Sequence, residues 1–249
     1  MGGQGLLRAA LVLTCIVGAA ASLPAQPGQP VRPALPGRPA PPDRSQPPAK
    51  TRLFPPQDLG LIEPPDREQW GKPDLIMDAL GIADGSVVAD LGAGSGWFTV
   101  RLARRVGPNG LVYAEDIQRQ MIEVINRNVQ REQLSNVRTV LGTPRDPRLP
   151  HGIDAVLIVG AYHEIEDPVA LLTNVAASLK PQGRVGVVDF TPGGGGPGPA
   201  ADERVNPDAV VKAARAAGLQ LLSREAVPPF QFLLIFGRSE GTVSSPAGR

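Results

Sequence analysis

An aspartate and three alternating glycines, Asp90, Gly92, Gly94 and Gly96, with Ala93 and Ser95 between them, are the residues of this chain best arranged for chemistry. Val87, Val88 and Ala89 before them predict a buried strand that ends in the Asp90 carboxylate, and an apolar-periodic stretch from 97 to about 106 predicts a helix. Glycine takes positive φ at no steric cost and lets a ligand approach the backbone without meeting a Cβ. The helix start offers unpaired N–H groups and a positive dipole end. Such a turn suits an anionic or polar nucleotide-like ligand. Its Gly-x-Gly-x-Gly spacing departs from the Gly-x-Gly-x-x-Gly of dinucleotide binding, which disfavours a nicotinamide-dependent oxidoreductase.

Two further groups fall where such a ligand needs them. The apolar run 111–114 predicts a second strand closed by Glu115 and Asp116, about 20 residues beyond the glycines, where an acid accepts hydrogen bonds from ribose hydroxyls. A one-residue slip flips a strand side chain to the other face, so Asp116 and Glu115 are both candidates. His163, flanked by Tyr162 and Glu164, follows the apolar run 154–159. An imidazole titrates near neutrality, so His163 is the candidate general base, with Tyr162 as a wall of the acceptor site.

The elements that must carry these residues alternate between strand and helix, an α/β pattern. Helices are predicted over 73–80, 97–106, 118–130, 169–179 and 207–217, and strands over 87–90, 111–116, 136–141, 154–159 and 185–190. A closing strand pair is predicted over 219–226 and 230–236. Asp167 reads as an N-cap before Pro168, and Asn206 as another before Pro207. The four glycines 193–196 exclude regular structure and suggest a lid or a connector.

Composition narrows the classes. A formal net charge of +1 gives no electrostatic basis for nucleic-acid binding. One cysteine, Cys15, and two histidines leave no basis for disulfides or a protein-held metal site. Arg8 followed by the apolar stretch 9–21, too short for a comfortable span, reads as a signal peptide or anchor over 1–25, hence a secreted or periplasmic protein. A translation start near Val31 would instead make it cytoplasmic. Half of the chain's 28 prolines lie between 24 and 65, which predicts an extended, disordered linker over 26–63. The folded domain is then expected over 64–238 with a flexible tail over 239–249.

The Asp90-to-Gly96 run resembles the first motif of class I S-adenosylmethionine-dependent methyltransferases, and residues 112–117 resemble the second. The turn Lys180-Pro181-Gln182-Gly183 is similar to the family's Lys-Pro-Gly-Gly, with Gln182 departing from it. The resemblance implies a Rossmann-like, doubly wound seven-stranded sheet, mostly parallel with a C-terminal antiparallel hairpin strand, and S-adenosylmethionine as cofactor. It places Asp90, Gly92, Ala93, Gly94 and Gly96 on the methionine part, Asp116 on the ribose, and Asp146 on the adenine amino group. The arsenite-type members use several cysteines, and the aspartyl-peptide repair members a serine-rich motif before the first strand; neither is present. A small-molecule acceptor, within a range that includes quinone- or lipid-like ones, is left by exclusion. An exported, non-catalytic cofactor-binding or scaffold protein with the same fold is the alternative, and oligomeric state is left open.

Overall fold

The computed structural model describes residues 53–62, 64–193, 195–227 and 229–239. The signal-like segment, the linker up to residue 52 and the tail beyond Ser239 lie outside the described residues. The linker expectation is corrected at its C-terminal end. A short 3-10 turn at Pro56–Asp58 and helix α1 (Leu59–Ile62) precede the expected start at residue 64. Phe54 is bonded to the domain through both backbone groups: its N–H donates to Glu164 and its carbonyl accepts from Gln118. Proline bars residues from a helix interior but not from a helix start, so the proline count set the boundary too late.

Helices α2 (Arg67–Gly71) and α3 (Pro73–Ala79) lead into β1 (Val87–Leu91), α4 (Trp97–Val106), β2 (Leu111–Asp116), α5 (Arg119–Arg131), β3 (Val137–Leu141) and β4 (Ile153–Val159). After a 3-10 turn at Tyr162–Glu164 come α6 (Pro168–Ser178), β5 (Leu179–Phe190), α7 (Pro207–Ala216), β6 (Leu219–Val227) and β7 (Gln231–Arg238). The strands form one sheet in the order β3-β2-β1-β4-β5-β7-β6. β1 to β5 pair in parallel, and β7 runs antiparallel to both β5 and β6. Both predicted caps form: the Asp167 side chain accepts from Ala170 N–H, and that of Asn206 from Asp208 N–H.

Strand alternation sends side chains to two cores. Ala89, Leu91, Val156, Ile158, Val185 and Val187 pack under α6 and α7. Val88, Val112, Ala114 and Leu157 pack under α3, α4 and α5 with Ile76, Leu102 and Ile125. The predicted turn at Lys180–Gly183 is instead contained within β5. Ile153 pairs with Leu179 and Ala155 with Arg184, so the intervening residues bulge out while both flanks remain in the ladder. Strand order reverses between β1 and β4, and the crevice at the carboxyl ends of these two neighbours is the switch point at which open α/β sheets bind ligands.

Candidate functional site

The glycine turn leaves β1 at this crevice. Gly92, Gly94 and Gly96 all have positive φ, at 69°, 57° and 83°. At Gly92 glycine is needed twice over, since a Cβ there would also lie 2.7 Å from the Cβ of Ala161, the residue that leads into the His163 turn. The end of β2 holds the turn in shape. Gly92 N–H donates to Glu115 Oε2 at 3.3 Å, Gly94 N–H to Asp116 Oδ2 at 3.0 Å, and Ala93 N–H to the Glu115 carbonyl at 2.9 Å. Asp116 Oδ1 also accepts from Gln118 N–H at 2.9 Å, which fixes the start of α5.

Three acids, Asp90, Glu115 and Asp116, are therefore buried around one loop. Asp90 accepts from Thr99 Oγ1 at 2.6 Å, so its visible bond is to α4. Burial pushes the Asp90 carboxyl up to about 6, although the Thr99 bond and the Arg67 charge oppose the rise. Burial, with the Asp116 charge beside it, pushes Glu115 up to about 8. Asp116 is raised by burial against three opposing backbone hydrogen bonds. Glu115 Oε1 is buried with no hydrogen-bond partner. Acids held near one another out of water are suited to a ligand that brings positive charge and hydroxyl donors. Both strand-end acids thus bond to the glycine turn, where the spacing had left one or the other as the candidate.

At the end of β4, Tyr162 and His163 separate. Tyr162 is buried in the core under α6, with its hydroxyl unpartnered, and burial pushes its pKa up to about 12. It packs as a core side chain rather than as the expected wall. His163 Nδ1 lies 3.2 Å from both carboxylate oxygens of Asp189, and its backbone N–H donates to Asp189 Oδ2 at 3.1 Å. Its Nε2 is 3.8 Å from Glu164 Oε1. Burial by itself would lower the His163 pKa, but the Asp189 bond and charge, with Glu164 and Glu203, carry it above the ordinary value. Glu164 Oε2 accepts from Phe54 N–H at 3.1 Å, and Gln118 Nε2 donates to the Phe54 carbonyl at 3.0 Å. The segment before the domain is thereby tied to a residue beside His163 and to another beside Asp116.

Asp146 is exposed, and its bonds close its own loop: Oδ1 accepts from Arg148 N–H, and its carbonyl from Thr143 N–H. It follows β3 on the β2 side of the crevice, near enough to add its charge to that of Glu115. The sequence pattern did not reveal two features. Asp189, fully buried, is an acid inside the apolar run Val185–Phe190, and that incongruity was its signal. The other is an aromatic group beyond it: Trp70 stands 6.0 Å from Phe190 and 6.4 Å from Phe230. The described part of the glycine-rich loop packs on this group, since a Cβ at Gly198 would lie 2.7 Å from the Phe190 ring. Arg204 gathers the loop by donating to the carbonyls of Thr191, Pro197 and Pro199.

A buried acidic set around a glycine turn, at the switch point of a 3-2-1-4-5-7-6 sheet with β7 antiparallel, defines the class. Residues 88–183, which run from β1 into β5, match the family of the methyltransferase domain. It is similar to a demethylmenaquinone methyltransferase of Geobacillus, 29% identical over 110 residues, which covers 44% of this chain and 47% of the relative. It is also similar to an uncharacterized methyltransferase of Mycobacterium tuberculosis, 36% identical over 125 residues, covering 49% and 47% respectively. The matches thus span about half the length of these curated relatives. Among solved structures, a SAM-dependent methyltransferase from Aquifex aeolicus shares the fold with a TM-score of 0.71 and 24% identity, covering 74% of this chain and 98% of that one.

Proposed function

We propose that this protein transfers a methyl group from S-adenosylmethionine to a small-molecule acceptor at the carboxyl ends of β1, β2 and β4. The observation that carries this reading is the unpartnered Glu115 oxygen beside Asp116 and the positive-φ turn, a buried acceptor in search of a donor next to a backbone without side chains at its glycines. Asp116 and Glu115 are suited to the ribose hydroxyls and the cofactor's positive charge. The Gly92–Gly96 turn and the start of α4 are suited to its carboxylate. Asp146 is the adenine contact in this reading. S-adenosylmethionine, when bound, supplies an activated methyl on a sulfonium. The protein's larger contribution is orientation, because in-line displacement depends on near-attack geometry. His163 takes the acceptor's proton.

The aromatic group Trp70, Phe190 and Phe230 favours an acceptor with a flat apolar face. Calorimetry with S-adenosylhomocysteine tests the cofactor reading. A Kd in the micromolar range, about −8 kcal/mol, is expected. Asp116→Ala should weaken it by about tenfold or more, or ~1.4 kcal/mol. No binding heat from the folded protein would overturn the reading.

Export is part of the same proposal, supported by Arg8 and the apolar stretch 9–21. Mass spectrometry of the native N terminus should find a mature end between residues 21 and 26. An intact Met1, or a start near Val31 in the cytosolic fraction, would overturn it.

A further inference from the structure

We propose that Asp189 is a positioning residue for methyl transfer: it holds the Nδ1 edge of His163 so that Nε2 faces an acceptor arriving with a proton on its attacking oxygen or nitrogen. This rests on the methyl-transfer reading and deepens it by naming the acceptor class.

The geometry fixes the imidazole at two levels. One carboxylate engages both the backbone N–H and the ring Nδ1 of the same residue, so the backbone bond seats Asp189 against this turn and the ring cannot rotate without losing its Nδ1 contact. A carboxylate only accepts, which requires Nδ1 to carry the hydrogen and leaves the lone pair of the neutral ring on Nε2. Placing an aspartate at the buried end of a central strand is costly unless its oxygens are satisfied. The partners of Asp189 are His163 and the N–H of Phe190, at 2.8 Å. The rest of that strand end is apolar, with Val187, Val188 and Phe190 buried beside it. Packing alone gives no reason for a carboxylate there.

His163 also stands where a base is needed. Ala161, two residues before it, sits so close to Gly92 that a single Cβ would fill the gap. The His163 turn therefore abuts the loop assigned to the methyl donor. The step balances without a further reactant. The acceptor lone pair forms the new bond to the methyl carbon as the carbon–sulfur pair departs to sulfur, and the acceptor proton passes to Nε2. The resulting imidazolium lies between Asp189 on β5 and Glu164 on the His163 turn, with Glu203, before α7, adding its field. The proton then leaves to solvent. An acceptor with no proton to lose, such as a thioether or tertiary amine, has no use for this pair.

The test is 15N NMR of the ring nitrogens in the full chain, which has only His151 and His163. A His151→Gln variant leaves the signal of His163 alone. The neutral ring is expected as the Nδ1–H tautomer. In Asp189→Asn its titration should move to lower pH, and Asp189→Glu should restore part of that shift. S-adenosylhomocysteine affinity should remain within about threefold throughout, a difference of under ~1 kcal/mol. An Nε2–H tautomer in the otherwise unaltered chain would overturn the proposal even if the Asp189 variants fail to fold, and so would an unchanged titration in Asp189→Asn. Failure of the methyl-transfer reading shows separately, as absent binding heat in the same samples.

Discussion

Gly92→Val is expected to raise the Kd for S-adenosylhomocysteine by about a hundredfold or more, roughly 3 kcal/mol. Two costs act at this position. A β-branched residue at a φ of 69° pays about 1–2 kcal/mol for the left-handed conformation. The first atom of its side chain would also lie 2.7 Å from Ala161 Cβ, so the glycine turn or the His163 turn must move. Moving the glycine turn breaks the bond from Gly92 N–H to Glu115, and moving the His163 turn displaces the imidazole beside it. Gly85 supplies the control: it has a φ of 79°, and a Cβ there would meet nothing within 4 Å. Gly85→Val should therefore lower the melting temperature through strain while leaving binding within about twofold, under ~0.5 kcal/mol. Calorimetry with thermal unfolding of both variants makes the comparison. Equal binding by Gly92→Val and the unaltered protein would remove the turn from the cofactor site.

Glu115→Gln is expected to stabilise the ligand-free protein at pH 8 but not at pH 5, and to weaken S-adenosylhomocysteine binding about tenfold, ~1.4 kcal/mol. Burial and the neighbouring acid lift the Glu115 pKa from 4.5 to about 8 in the folded state. Between those values the native protein binds more protons than the unfolded chain, so stability falls as pH rises through the window. Each pH unit of displacement corresponds to about 1.4 kcal/mol, so the total is a few kcal/mol at order of magnitude. Glutamine cannot ionise, and its amide oxygen can still accept from Gly92 N–H. The variant therefore escapes this fall, whereas Asp90, raised to about 6, keeps its own smaller one in both proteins. Thermal melts from pH 5 to 8 should diverge by several degrees, at about 2–4 °C per kcal/mol for a domain of this size. A gain in stability coupled to a loss of binding is the signature of an acid retained for a ligand. Parallel melting curves would show that Glu115 is solvated or neutralised in another way.

The position of the cradle was legible in the residues themselves because its requirements are local. A glycine turn needs glycine at each positive φ, a strand end needs its apolar run to stop, and a helix start needs its cap. Asp90, the three glycines, Asp116 and the caps Asp167 and Asn206 are all found in the predicted elements. The alternating pattern likewise determined the α/β class, because periodicity is written along the chain.

What only tertiary structure decided is pairwise and distant in sequence. Asp189 lies 26 residues from His163, and nothing along the chain says that the end of β5 meets the turn after β4; parallel pairing of those strands brings them together. Phe54 reaches Glu164 across 110 residues, which composition had assigned to linker. Glu115 and Asp116 were alternatives in sequence because alternation permits only one of them on a given face, yet a glycine turn crossing the strand end takes bonds from both. Local conformational preference names the residues of the glycine cradle. Which side chains face one another across it depends on strand order, a property of the folded sheet and not of any one segment.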